Sequence, residues 1–227
     1  MTTIATELKN VDWFRDRLLT WAEQNLRDYP WRNTNNSYHI LVAECLLQRT
    51  DADTVAPVYE TLLTRYPSLN ELAIAEVKDI AAILQPLGLF FRAKRLSQTA
   101  QTIVAQHQGE IPNSQTELLK LPGIGIYTAR AILSQAFGQS AAVMDTNVAR
   151  ILERFFGIKG ERVKSRCKIL WSAADTVAPI SEVGHWNLSL LDFGALMCTA
   201  RKPKCSQCPL ANKCHWCDRQ YATAKQN

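Results

Sequence analysis

The sequence predicts an all-α fold. Three observations predict it: apolar residues recur every three to four positions, strand-like alternation is scarce, and short turns containing Gly or Pro separate the periodic stretches. Of the 227 residues, 47% are hydrophobic and 21% are charged, as in a globular protein large enough to form a core without disulfides. This composition excludes disordered and fibrous proteins.

The first helix is predicted over residues 11–26, where Trp13, Phe14, Leu18 and Trp21 recur near helical spacing. We assign Trp13 and Trp31 to the core. No internal repeat or long flexible linker separates the elements, so any second domain is expected to pack against the first. Further helices are predicted over 37–48, 52–65, 77–84, 92–107, 127–137, 146–156, 165–178 and 185–198.

Charge and targeting features narrow the compartment and the partner. The 26 Lys and Arg residues exceed the 21 Asp and Glu residues, and the net charge of +5 favours a polyanionic partner. The apolar runs are far shorter than the roughly 20 residues of a membrane span. The N-terminus lacks the basic and apolar regions of a secretory signal. We therefore expect no membrane partner and a reducing, cytoplasmic location.

A helix, a tight apolar hairpin and a second helix are predicted over residues 117–129. Gly123 and Gly125 bracket Ile124, and glycine lets the backbone approach another molecule closely. The free N–H groups at the start of the second helix suit a phosphate. Leu121 and Ile124 are expected to anchor the hairpin in the core. An ordinary helix–helix turn with a glycine C-cap would fit the same residues.

Five of the seven cysteines lie between residues 198 and 217. Their spacing favours a metal centre, because cations interrupt the run and all four thiols of the set cannot pack as small hydrophobes. Spacing alone leaves zinc and iron–sulfur open. Cys45 and Cys167 fall in predicted helices and are expected to be core or half-buried fillers, and Cys217 is spare. The proposed ligands are Cys198, Cys205, Cys208 and Cys214.

The motif Leu-Pro-Gly-x-Gly-x-x-Thr-Ala at 121–129, followed by Asp-x-Asn-Val at 145–148, resembles the helix-hairpin-helix and Gly/Pro-rich-Asp signature of the endonuclease III superfamily of DNA glycosylases. The 6-2-5 cysteine spacing is similar to the [4Fe-4S] motif of that family. The resemblance implies a six-helix barrel domain over 31–142, carrying the hairpin at 117–129. It also implies an iron–sulfur cluster domain, built from residues 1–30 and 143–227 and packed against the barrel, with DNA crossing the cleft.

The resemblance also implies catalytic roles. Asp145 would stabilise positive charge at C1′ and direct water, although an Asp before a helix is also typical of an N-cap. Glu44 matches the glutamate with which adenine-specific glycosylases protonate the departing purine, although a surface or helix-capping glutamate fits as well. Tyr127 occupies the place of the lysine with which bifunctional members cut the strand, so no β-lyase activity is expected.

The choice of base rests on three features. Tyr127 and Arg49 resemble residues of the archaeal mismatch-specific thymine glycosylases, and a 227-residue chain leaves no room for an appended 8-oxoguanine-reading domain. We therefore expect a monomeric, monofunctional base excision repair enzyme that removes thymine or uracil opposite guanine from mismatched double-stranded DNA. An adenine glycosylase acting on A·G or A·8-oxoguanine pairs is the alternative within the enzyme class. A non-catalytic helix-hairpin-helix DNA-binding protein is the alternative outside it.

Contacts with DNA are predicted from the hairpin, from the turn after residue 47, from an apolar wedge and from the cationic loop between the first two cysteines. That loop could equally be a solvated charge run. At least two of residues 89–91 are expected to be buried. The predicted DNA-binding residues are Gln48, Arg49, Leu89, Leu121, Gly123, Ile124, Gly125, Asn147, Arg201, Lys202 and Lys204.

Overall fold

The computed structural model describes residues 8–88 and 91–218. Throughout this part of the chain the regular structure is helical, with no β-strand, so the all-α prediction is confirmed. The α-helices are α1 (Val11–Ala22), α2 (Ser37–Leu47), α3 (Ala52–Arg65), α4 (Leu69–Ile74), α5 (Val77–Leu84), α6 (Phe91–His107), α7 (Gln115–Leu118), α8 (Ile126–Ala136), α9 (Thr146–Phe156), α10 (Lys168–Val177) and α11 (Val183–Leu196).

Two compact units divide the chain. The central unit comprises residues 28–139 and holds α2 to α8. The terminal unit joins residues 1–27 to residues 140–227 and holds α1 and α9 to α11. Each junction lies three residues before the one predicted from the sequence. The described helices include none that is both long enough and apolar enough to cross a bilayer.

Helix α2 forms the core of the central unit. Leu41, Val42 and Leu46 are fully buried on it, which explains why its sequence is apolar around most of its circumference. The Asn36 side chain caps its first turn by accepting from two backbone N–H groups. Trp31 is buried, as predicted, and meets Tyr59 edge to face. The cap and the buried side chains of α2 fix the helix that carries Glu44.

The short helix α4 was not expected from the sequence. Ser68 and Glu71 form a reciprocal capping box at its start, and this Ser-x-x-Glu spacing was the available signal. Leu69 and Leu72 then bury its apolar side. With only six residues, the helix is too short to display a clear apolar periodicity.

Aromatic packing forms the core of the terminal unit. Phe14 of α1 meets both Phe155 of α9 and Trp186 of α11, with ring centroids 4.7 and 5.8 Å apart. Trp13 stacks on Phe155 but is only half-buried, so its assignment to the core is correct in part. Helix α1 ends at Ala22 rather than at residue 26, and the Asn25 amide donates to the Trp21 carbonyl just beyond that end.

Candidate active site

The predicted hairpin joins α7 to α8 in the central unit. Leu121 and Ile124 are only 3% and 6% exposed, so they anchor the hairpin in the core as expected, and only their backbone can face a ligand. Gly123 has a φ of +78°, which favours glycine, and Gly125 precedes the first turn of α8. Both glycines are exposed. The exposed backbone and the start of α8 together suit an anionic ligand.

Side chains of the same unit hold the hairpin carbonyls. Thr99 donates its hydroxyl to the Pro122 carbonyl at 2.6 Å. The Gln48 amide donates to the Gly123 carbonyl at 3.2 Å. The two contacts hold both hairpin carbonyls on side-chain donors of the same unit. Thr99 was not identified from the sequence, because its partner is a backbone atom 23 residues away.

Gln48 and Arg49 form the turn that follows α2. Arg49 is exposed and adopts a φ of +63°, a region that residues with a Cβ rarely occupy. The buried guanidinium of Arg92 donates to the Leu46 carbonyl at 2.7 Å, to the Gln48 carbonyl and to the Thr50 hydroxyl. The structure therefore presents Arg49 outward from a turn that is braced from within.

Glu44 lies on α2 and is 7% exposed, so it is neither a surface residue nor a helix cap. Burial raises the pKa of Glu44 from 4.5 to about 7, although a hydrogen bond from Gln135 and the positive charge of Arg32 lower it. The Gln135 amide lies 3.5 Å from its Oε1 atom. A carboxyl group in this state can deliver a proton near neutral pH.

Tyr127 lies in the first turn of α8, two residues after Gly125, and is half-buried. Its phenol cannot form the imine that a lysine would form at this position. Lys120 precedes the hairpin and forms an exposed ion pair with Glu117, whose carboxylate lies 2.7 Å from its Nζ atom. The hairpin therefore carries a phenol where an amine nucleophile would be needed.

Asp145 caps α9 in the terminal unit. Its Oδ1 atom accepts from the backbone N–H groups of Asn147 and Val148, each at 2.8 Å. Burial raises the pKa of Asp145, while the two N–H groups, the nearby charge of Arg150 and the Asn147 side chain lower it. The cap fixes the carboxylate orientation, so capping and an electrostatic role are compatible in one residue.

Asn147 and Arg150 connect Asp145 to the cysteine loop. The Asn147 amide donates to the second oxygen of Asp145 at 3.1 Å. Arg150 donates to the Asn147 side-chain oxygen and to the Cys198 carbonyl, each at 2.8 Å. Arg150 also donates to the Gly194 carbonyl on α11 at 2.8 Å. A continuous chain of hydrogen bonds thus runs from the carboxylate to the first cysteine of the loop.

The four predicted ligand cysteines lie on one loop and in one apolar cluster of the terminal unit. Burial raises the pKa of Cys208 to about 11, and the nearby Cys198, Cys214 and Cys205 thiols add to the shift. Among the described residues, no group of three or more His, Cys, Asp or Glu side chains is arranged to hold one metal ion. Cys198, Cys205, Cys208 and Cys214 would hold a [4Fe-4S] cluster, whose ligands are four cysteine thiolates. The four-thiol donor set fits such a cluster.

Two further residues, Arg154 and Cys217, lie against the cysteine loop. Arg154 donates to the Thr199 carbonyl at 2.7 Å and approaches the Cys198 sulfur at 3.5 Å. Cys217 is not spare, because it is 3% exposed and lies in the same apolar cluster as Cys205 and Cys214. Cys167 is fully buried and Cys45 is half-buried, as their assignment as fillers implies.

The predicted DNA contacts differ in exposure. Arg201, Lys202 and Lys204 are exposed on the loop between the first two cysteines. Asn147 is half-buried, where it bonds Asp145. Phe91 is 46% exposed. Leu89, the predicted wedge, lies outside the described residues with Phe90, so the burial expected for at least two of residues 89–91 stays a prediction.

Comparison with known families matches both parts of the chain. Residues 42–174 match the family described as HhH-GPD superfamily base excision DNA repair protein. Residues 198–214 match the iron-sulfur binding domain of endonuclease III. The prediction that this loop holds a [4Fe-4S] cluster is thereby confirmed, and zinc is not the metal of this motif.

Curated relatives cover most of the chain. A thymine/uracil-DNA glycosylase of Methanothermobacter thermautotrophicus is 35% identical, over 89% of this chain and 92% of its own length. One of Pyrobaculum aerophilum is 39% identical, over 88% and 89%. An adenine DNA glycosylase of Homo sapiens is 34% identical over 92% of this chain but only 40% of its own length.

Solved structures show the same fold. A thermostable thymine-DNA glycosylase superposes with a TM-score of 0.89 at 34% identity, covering 93% of this chain and 98% of that one. A non-covalent endonuclease III–DNA complex superposes with a TM-score of 0.80 at 22% identity, covering 94% of this chain and 98% of that one. The second likeness concerns the fold alone.

Proposed function

Because this chain belongs to the HhH-GPD superfamily of base excision DNA repair proteins, we propose that it is a monofunctional DNA glycosylase that hydrolyses the bond between deoxyribose and thymine or uracil mispaired with guanine. The observation that carries the reaction class is the Asp145 carboxylate, held by two backbone N–H groups at the start of α9. The enzyme acts on double-stranded DNA as a monomer.

Asp145 serves the sugar. As the bond from C1′ to the base lengthens, positive charge develops on the sugar ring, and an oriented carboxylate lowers the energy of that state. Water then forms the new bond to C1′, and the proton that water loses passes to Asp145. The Asn147 amide, bonded to the second carboxylate oxygen, keeps the side chain in one orientation during this exchange.

Glu44 serves the departing base. The electron pair of the broken bond leaves with the base, and a proton from Glu44 neutralises the resulting anion. A pKa of about 7 leaves a substantial fraction of Glu44 protonated at neutral pH. An adenine would be protonated by the same group, so Glu44 supports base release without choosing the base.

The choice of thymine or uracil is supported by the relatives that match along nearly their whole length, which are named thymine/uracil-DNA glycosylases. Arg49 is exposed on its turn and has donors that fit an unpaired guanine. The similarity to the adenine DNA glycosylase of Homo sapiens supports a second candidate function, the release of adenine from A·G or A·8-oxoguanine pairs.

Strand cutting is not part of the proposed reaction. Tyr127 cannot attack C1′ to form a Schiff base, so the product is an intact strand with an abasic site. The backbone of Gly123 and Gly125 is proposed to hold a phosphate, and Arg201, Lys202 and Lys204 another stretch of the backbone. Gln48 and Arg49 are proposed to fill the space that the extruded base leaves. Cys198, Cys205, Cys208 and Cys214 would hold the [4Fe-4S] cluster, which would cross-link the loop that carries the three cations.

The test uses four labelled duplexes that contain T·G, U·G, A·G and A·8-oxoguanine pairs, followed by alkaline cleavage of abasic sites. We expect cleavage at thymine and uracil, and none before alkali. Release of adenine alone would show that adenine, and not thymine or uracil, is the substrate base. Strand cutting without alkali would refute the monofunctional assignment. Asp145→Asn should lose release while duplex binding persists, whereas Asp16→Asn, an exposed control on α1, should retain both.

A further inference from the structure

Arg92 is a buried cation whose contacts converge on one turn. Its side chain leaves the first turn of α6, and the residue is only 4% exposed. It donates to the carbonyls of Leu46 and Gln48 and to the Thr50 hydroxyl. Within the described part of the chain these acceptors are neutral oxygens rather than carboxylates. Burying a guanidinium in this way has a free-energy cost, so a local backbone requirement is the natural reason for it.

That requirement is the conformation of the turn after α2. The last carbonyls of a helix lack intrahelical donors, and Arg92 supplies donors to two residues at this end. Between Gln48 and Thr50 stands Arg49, with a φ of +63° and an exposed side chain. The donors of Arg92 bond both neighbours of Arg49 and so oppose relaxation of the turn to a more common conformation.

The same helix also braces the hairpin. Thr99, two turns after Arg92 on α6, donates to the Pro122 carbonyl. The Arg95 side chain packs against Gly123, where an added Cβ would lie 3.3 Å from its Cδ atom. One helix therefore contacts the turn of Arg49 on one side and the phosphate-binding hairpin on the other. The Gln48 amide, which donates to Gly123, joins the two.

We propose that Arg92 is a positioning residue for base extrusion: it fixes the backbone from Leu46 to Thr50 so that the Arg49 side chain enters the duplex in register with the hairpin. The proposal rests on the proposed function. Arg49 is long and flexible, so its entry point depends on the direction in which its backbone presents it. Arg92 itself contacts neither base nor phosphate in this scheme.

The test is a double-mutant cycle on cluster-loaded protein. Arg92→Met removes the three donors while keeping an unbranched side chain, and Arg92→Lys retains the charge but not the fork of donors. Each is combined with Arg49→Ala. Lys94→Ala, an exposed cation on the same helix, is the matched control. Single-turnover base release from a U·G duplex and the fluorescence of a 2-aminopurine beside the mismatch are measured, with thermal midpoints.

We expect Arg92→Met to slow base release about 10- to 100-fold and to abolish the fluorescence rise, with a smaller loss for Arg92→Lys. In the Arg49→Ala background the same substitution should change the rate by less than about threefold, since one residue acts through the other. Affinity for undamaged duplex should change little, because Arg49 keeps its charge.

Several results would overturn the proposal. Equal losses with and without Arg49 would show that Arg92 acts elsewhere. An unchanged fluorescence rise in Arg92→Met would show that extrusion does not depend on it. If neither Arg92→Met nor Arg92→Lys folds, Arg92 is needed for folding of the core and the positioning role is rejected. If wild type unstacks the 2-aminopurine but releases no base, the proposed function fails while the positioning role is still decided by the fluorescence cycle.

Discussion

Replacing Glu44 by glutamine is expected to stabilise the protein above pH 7 while it removes most of the activity. Glutamine has nearly the same shape and does not ionise. The wild-type carboxyl is buried on α2, and burial raises its pKa from 4.5 to about 7. Its amide neighbour Gln135 and the positive charge of Arg32 lower the pKa without cancelling the effect of burial.

The size and the sign follow from the linkage between protonation and folding. The folded protein holds the Glu44 proton more tightly than the unfolded chain, so stability from this group is fully present below pH 4.5. It is lost as the pH rises from 4.5 to about 7. The pKa difference corresponds to about 3 kcal/mol of folding stability. The wild type loses this stability above pH 7, whereas Glu44→Gln, which does not ionise, retains it.

The assay compares thermal midpoints of wild type and Glu44→Gln at pH 5, 6, 7 and 8.5, at one scan rate and with the cluster intact. The variant should gain most at pH 8.5, where about 3 kcal/mol corresponds to roughly 6 to 12 °C in a protein of this size. The gain should shrink steadily toward pH 5. Glu60→Gln, an exposed glutamate on α3, is the matched control and should show no such trend.

Activity supplies the second half of the prediction. If protonated Glu44 donates to the departing base, single-turnover release should fall as the pH rises above about 7. Glu44→Gln should lower release by roughly 10²- to 10⁴-fold. A variant that is no more stable than wild type at pH 8.5 would refute the buried-carboxyl argument. A variant that keeps full activity would refute the acid role.

Three further predictions concern the other residues of the site. Asp145→Asn should lower base release by roughly 10²-fold or more with little loss of thermal stability, because asparagine caps helices as well as aspartate. Product analysis would measure base release and calorimetry the stability, and unchanged release would show that the role of Asp145 is purely structural. Wild type should form no borohydride-trapped adduct with its substrate, and a trapped adduct would contradict the assignment of Tyr127. Gly125→Ala should weaken duplex binding without changing the thermal midpoint, because its Cβ would meet nothing within 4 Å. Gly123→Ala should lower both duplex affinity and the thermal midpoint, because Gly123 has a φ of +78° and its Cβ would lie 3.3 Å from Arg95. Equal thermal midpoints for the two alanine variants would contradict this contrast.

The candidate-site features that could be read from the sequence are those that depend on local spacing. Gly123 and Gly125 stand two residues apart in one turn, and Asp145 caps the helix that follows it. The four proposed ligand cysteines lie within 17 consecutive residues, and an iron-sulfur binding family matches this stretch as one motif. Such features are readable because the chemistry and the residues share one short stretch of chain.

The residues that brace the site were not predictable in this way. Arg92 bonds residues 42 to 46 positions earlier, and Arg150 bonds a carbonyl 48 positions later. Most of these acceptors are backbone oxygens. Every residue has one, so these contacts leave no pattern of residue types in the sequence. Cys217 was missed for a related reason, since its place beside Cys205 and Cys214 depends on the fold of the loop rather than on ligand spacing.

The bonds of Arg150 give the cysteine loop a second structural role besides carrying cations. Arg150 joins the Cys198 carbonyl to Asn147, and Asn147 holds Asp145, so any shift of the loop backbone is transmitted to the carboxylate through directional bonds. Gly194 tightens the same region, because a Cβ there would lie 2.6 Å from the Asn147 Cβ. A [4Fe-4S] cluster that fixes Cys198 would therefore also fix the orientation of Asp145. Loss of the cluster should thus impair base release even on substrates too short to reach the cationic loop.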